Sequence, residues 1–157
     1  MTRRLLLVLL GAMGLASRSA EAQPAASKTE PLRLSDADWK KRLAPEQYAV
    51  LRREGTERAG TSPLDREKRK GVFHCAGCEL PLFSSETKFD SGTGWPSFYA
   101  ALPGAVVTKT DFKLILPRTE YHCARCEGHQ GHVFDDGPRP TGKRYCNNGV
   151  ALKFAPA

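Results

Sequence analysis

No cysteine precedes position 75 in this 157-residue chain, and only five occur in all. That absence excludes a lipid-modified cysteine near the N-terminus. Long apolar runs are missing too. The run at residues 5–16 is 12 residues long, short of the ~20 that a spanning helix needs. No βαβ alternation is visible, which argues against a thioredoxin-like protein built around one C-x-x-C. No internal repeat exists beyond two short thiol motifs. Aromatic residues are sparse, and none lies in the densest basic run, residues 66–70. Nucleic-acid binding would want basic residues interleaved with aromatics on one surface. The net charge of +7 therefore points to no particular partner, and no nucleic acid is expected.

The five cysteines are arranged informatively. Cys75-Ala76-Gly77-Cys78 and Cys123-Ala124-Arg125-Cys126 are both C-x-x-C, with 44 residues between them. Two such pairs supply the four thiolates of a closed tetrahedral zinc site, which has no open position for chemistry. Two disulfides are the alternative, although bridges within C-x-x-C are usually redox-active. A single site built from Cys123, Cys126, His129 and His132 would leave Cys75 and Cys78 without a purpose. The zinc reading isolates Cys146, a thiol with two histidines upstream and so a candidate nucleophile.

The N-terminus reads as an export signal. Arg3 and Arg4 form a basic region, residues 5–16 are apolar, and Ala20-Glu21-Ala22 offers a cleavage site. Both the general secretory route and the twin-arginine route fit these residues. Expected boundaries are a signal peptide at 1–22, a polar linker at 23–32 and one catalytic domain at 33–155. An exported protein, periplasmic or secreted and without stable membrane insertion after cleavage, is the expectation.

Ser35, followed by Asp36 and Asp38, predicts a helix N-cap before Trp39 and Leu43. Pro45-Glu46-Gln47 opens a second helix that ends near Gly55. Residues 60–71 read as loop. The helical period then disappears. Short β-type runs follow at 71–75, 105–110, 112–116, 119–123, 144–148 and 150–154, punctuated by Gly and Pro. This pattern predicts a mainly β fold of packed antiparallel sheets with short N-terminal helices. Each thiol pair sits at a strand end, so zinc would clip two distant hairpins together.

If residues 144–148 form a strand, its period of two puts Arg144, Cys146 and Asn148 on one face. A guanidinium there favours the thiolate and predicts a lowered Cys146 pKa. Asn148 offers amide donors for a polar substrate oxygen. Turns at Gly128 and Gly131 would bring an imidazole, from His129 or His132, to the sulfur as acid or base. Trp95, in the glycine-rich stretch before Pro96, is either core or the wall of an apolar pocket.

These stretches resemble the B-type methionine sulfoxide reductases, which reduce the R epimer of methionine sulfoxide. The resemblance is carried by Pro45-Glu46-Gln47-Tyr48, Phe73-His74-Cys75-Ala76-Gly77-Cys78 and Lys88-Phe89-Asp90-Ser91-Gly92-Thr93-Gly94-Trp95-Pro96-Ser97-Phe98. It continues through Cys123-Ala124-Arg125-Cys126, Gly131-His132-Val133-Phe134-Asp135-Asp136-Gly137-Pro138 and Arg144-Tyr145-Cys146. It runs from about residue 34 to 154. It implies two packed antiparallel sheets and one structural zinc on Cys75, Cys78, Cys123 and Cys126, remote from the active site. It implies Cys146 as nucleophile, with His129, His132 and Asn148 orienting or polarising the sulfoxide. Trp95 would wall the substrate methyl, and Arg144 would lie on the substrate side. Oxidised proteins or peptides and an external thiol reductant are the implied partners, and a monomer is expected.

The chain departs from the family pattern at several points. Gln130 and Asn147 stand where apolar residues are usual. The loop at residues 60–65 lacks a common aromatic pair. Thr93 occupies the position where many members carry a resolving cysteine. Two other readings compete: a zinc-ribbon binding module, which needs no reactive thiol outside the metal site, and a thiol–disulfide oxidoreductase, which predicts no metal.

Overall fold

The computed structural model describes residues 29–112 and 116–157. The expected signal peptide, most of the expected linker and residues 113–115 of the expected strand at 112–116 lie outside the described residues.

Ser35 accepts a hydrogen bond from the Asp38 amide and starts α1 (Asp36–Arg42). Such a cap contributes about 1 kcal/mol. Pro45 sits in the first turn of α2 (Pro45–Arg53), where its missing N–H costs nothing. That helix ends on Glu54 in left-handed geometry. Trp39, Val50 and Leu51 are the buried residues of the two helices. The expected loop after α2 contains one short 3₁₀ turn, Pro63–Arg66.

Two antiparallel sheets follow. β1 (Gly71–Cys75) lies between β2 (Pro81–Ser84) and the last strand, β9 (Leu152–Pro156). The larger sheet holds β3 (Lys88–Phe89), β4 (Ser97–Phe98), β5 (Val106–Asp111), β6 (Arg118–Cys123), β7 (His129–Phe134) and β8 (Arg144–Asn147). Its order is β3-β4-β8-β7-β6-β5. Two sequence expectations shift here. Asp111 is the last residue of β5 rather than the joint between two strands, and Phe112 and Leu116 are exposed and outside any strand. The final strand begins at Leu152, after a 3₁₀ turn at Gly149–Ala151.

Aromatic rings fill the core. Phe83 stacks on Phe98 with centroids 4.2 Å apart, and Phe73 meets Phe98 edge-on at 4.9 Å. Tyr121 and Tyr145, from β6 and β8, complete the cluster. Fully burying each such ring contributes roughly 1.5–3 kcal/mol. This cluster explains the strand phase of β8. Tyr145 turns into the core, so Arg144 and Cys146 must turn out to the opposite face.

Candidate functional site

The two C-x-x-C turns meet. Cys75 ends β1 and Cys123 ends β6, and each turn carries its second cysteine back beside the first. All four sulfurs lie within 4.8 Å of one another and all four residues are buried. Cys75 and Cys126 are 3.6 Å apart, and Cys78 and Cys123 are 3.4 Å apart. A tetrahedron with Zn–S bonds of about 2.3 Å has edges of about 3.8 Å, so the donor set fits zinc. The crowding points the same way. Hydrogen bonds shared among the sulfurs push the Cys75 and Cys126 thiols up and the Cys78 and Cys123 thiols down. Four close thiolates are compatible only around a cation. The metal-free oxidoreductase reading has no support in this geometry.

Cys146 is outside that cluster, on β8, one of the two central strands of the larger sheet. Its register partners are Ser97 of β4 on one side and His132 of β7 on the other. Paired residues in an antiparallel sheet share a face, so Ser97, Cys146 and His132 form one row. Gly131 makes the close approach of β7 possible. A β-carbon there would lie 1.9 Å from the carbonyl oxygen of Cys146. Cys146 borders a cavity of about 130 Å³ whose walls include Trp95, His132, Phe134, Arg118 and Asn148. His132 is held by its Nε2, 2.8 Å from an Asp111 carboxylate oxygen that also accepts from Arg118 at 2.8 Å. A ring fixed on one nitrogen presents the other in a defined direction.

Two sequence expectations need correction. The Cys146 pKa is raised, not lowered, because burial outweighs the nearby Arg144 charge and the Thr93 hydroxyl, which both favour the thiolate. Arg144, beside the sulfur as the strand period predicts, is also forked onto Asp136 at 2.8 Å through two nitrogens and stacked over Phe134. His129 does not line the Cys146 cavity. It is buried behind His132, with ring centroids 5.6 Å apart, and its Nδ1 is 2.6 Å from Glu120. Burial holds its pKa below the usual imidazole range.

Asn148 does border the cavity, but its amide is largely committed. Its oxygen accepts from the Glu57 amide at 3.0 Å, and its nitrogen donates to the Gln130 carbonyl at 2.9 Å. One amide hydrogen is left for a ligand.

Glu57 was not visible as a functional residue in the sequence. Its carbonyl accepts from the Trp95 indole at 3.1 Å. Its carboxylate accepts from the Gly149 amide and, at 3.0 Å, from the Val150 amide. Its backbone groups thus hold two walls of the cavity, Trp95 and Asn148, and its carboxylate holds the turn that follows Asn148. Burial raises its carboxyl pKa, against the pull of those two amides. The two residues at unusual positions also find each other. Tyr121 donates to Asn147 at 2.7 Å, Asn147 lies 3.4 Å from the Gln130 side chain, and Gln130 donates to the Cys75 sulfur at 3.3 Å.

The sequence matches the SelR domain over residues 43–156. The chain belongs to this family, that of the B-type methionine sulfoxide reductases. It is 57% identical to peptide methionine sulfoxide reductase B1, chloroplastic, of Arabidopsis thaliana over 82% of its length, and 55% identical to the protein so named in Oryza sativa over 77%. It spans only 64% and 57% of those two plant proteins. It is 54% identical to peptide methionine sulfoxide reductase MsrB of Agrobacterium fabrum, over 78% of this chain and 91% of that one. Membership in this family agrees with the mainly β fold and with structural zinc on the four clustered cysteines.

Proposed function

We propose that this protein reduces methionine R-sulfoxide, in oxidised proteins and peptides, to methionine, with Cys146 as the nucleophile. One observation carries the reading: the single cysteine outside the metal cluster borders a cavity walled by an indole, a phenyl ring, an imidazole and an amide. Trp95 and Phe134 suit the apolar methyl and methylene groups of the substrate. His132 and Asn148 suit its oxygen.

The chemistry balances without a further co-reactant. The Cys146 sulfur attacks the sulfoxide sulfur and the S–O bond migrates to cysteine, leaving methionine and a sulfenic acid. The reaction consumes one proton at the oxygen, and the thiol brings one. A raised thiol pKa keeps that proton on Cys146 until substrate arrives. His132 is placed to pass it to the oxygen as general acid. His129 and Glu120 support His132 from behind. Zinc, when bound by Cys75, Cys78, Cys123 and Cys126, ties the two turns together and takes no part in these steps.

An external thiol then returns Cys146 to the thiol state. Residues 1–22 are proposed to direct export, so that a monomeric domain of residues 33–155 works in the periplasm or outside the cell. Among the described residues no helix is long and apolar enough to cross a membrane.

The test is turnover of the separated sulfoxide epimers of an acetylated methionine peptide with dithiothreitol. The R epimer should be reduced and the S epimer left intact, and Cys146→Ser should be inactive. Equal turnover of both epimers, or activity in Cys146→Ser, would overturn the assignment.

A further inference from the structure

Gln130 is a long polar side chain with no exposed surface. Its inward turn goes with the bulge opposite it. The pairing passes from Tyr121 and Gly131 to His122 and His129, which leaves Gln130 without a register partner on β6. Burying an amide is costly unless its donor and acceptor ends both find partners. Gln130 finds a partner at each end, and the two ends are chemically different.

One backbone carbonyl sets the direction of the whole path. The Asn148 carbonyl can only accept, so the Asn147 side chain faces it, at 2.8 Å, with its nitrogen. The Asn147 oxygen is then free to accept from the Tyr121 hydroxyl at 2.7 Å. The same Asn147 nitrogen donates at 3.4 Å to the Gln130 side-chain oxygen. The Gln130 nitrogen is thereby turned to the Cys75 sulfur, 3.3 Å away.

A donor at that point meets a buried negative charge. Four thiolates around a divalent cation leave a net negative cluster, and Cys75 and Cys123 have no exposed surface. The sulfurs of Cys78 and Cys123 accept from backbone amides, those of Leu80 and Cys126. The donor to Cys75 is a side chain, so the sequence decides whether it is present. The apolar residues usual at this position in the family have no N–H to give.

We propose that Gln130 is a zinc-retaining residue: its side-chain N–H holds the Cys75 thiolate of the loaded site, in an orientation set by Asn147, and slows loss of the metal. Gln130 is not a ligand. It stabilises the negative sulfur that is one, and so makes that sulfur slower to let go. Because metal binding in such a site is coupled to folding, the same bond protects the scaffold that carries Cys146. None of this depends on which substrate Cys146 meets.

Two measurements on the whole protein test the proposal. With spin-active cadmium in place of zinc, an N–H bonded to a metal-bound sulfur shows a scalar coupling to the metal. The Gln130 side-chain amide should show one. Asn147→Ala should weaken that coupling, while those of the Leu80 and Cys126 amides persist and report an intact cluster. Zinc-loaded protein is then mixed with excess pyridylazoresorcinol, and zinc release is followed by absorbance. Gln130→Leu should release zinc roughly ten-fold faster or more, and Gln130→Glu, which sets a carboxylate against the sulfur, faster still. A wild-type release rate in Gln130→Leu, or no coupling to Gln130 in the wild-type protein, would overturn the proposal. An unchanged coupling in Asn147→Ala would overturn the orienting role of Asn147. Should Gln130→Leu fail to fold, the cadmium coupling in the wild-type protein decides alone.

Discussion

Burial favours the protonated form of the Cys146 thiol. Burial raises its pKa, and the Arg144 charge only partly offsets this. The consequence is measurable in the free protein. The iodoacetamide alkylation rate of Cys146 should rise with pH to an inflection above the free-cysteine value of about 8.5. Arg144→Met removes the opposing charge and should move the inflection up by roughly one unit, about 1.4 kcal/mol. An inflection below the free value would mean that the guanidinium dominates and that the resting nucleophile is already a thiolate. This balance was not legible in the sequence. The period of two put Arg144 and Cys146 on one face, but nothing local revealed that Asp136 grips the guanidinium or how deeply the thiol is buried.

At the scale of elements, the features that could be read from the sequence were those whose cause is local. Ser35 caps a helix three residues from its partner, Pro45 opens one, and each C-x-x-C closes its own turn at a strand end. The features that escaped have partners far along the chain. Glu57 bonds to Asn148, Gly149 and Val150 across 91 to 93 residues. Its position after α2 gave no hint that it ties the Trp95 loop to the turn following β8. Likewise His129 and His132 were equal candidates in sequence. The bulge between Tyr121 and His122 shifts the β6–β7 register next to His129, and His129 lies behind His132. Glu57→Gln tests the tie. The amide places an N–H against one of the two backbone amides, which costs about 1–3 kcal/mol. The KM for the sulfoxide peptide should rise about ten-fold as Trp95 and Asn148 lose alignment, with kcat changed less than three-fold. A Tm loss with unchanged KM would make Glu57 purely structural.

At the scale of the whole molecule, two sheets share an aromatic core and a metal cluster, and the reactive strand β8 belongs to the larger sheet. The doubled thiol motif made the division of labour readable from the sequence: four cysteines for the scaffold, one for chemistry. The buried polar path from Cys75 through Gln130 to Asn147 was not readable, since it joins two residues that looked only like departures from a pattern. Everything above depends on that division, and one measurement tests it most directly. Zinc-loaded protein is mixed with limiting methionine R-sulfoxide peptide and no reductant, and its native intact mass is recorded. One added oxygen is expected, confined to Cys146 and trapped by a sulfenic-acid reagent, with one zinc still bound. Loss of two hydrogens with release of zinc would contradict it, because a metal-cluster thiol would then be taking part in the chemistry.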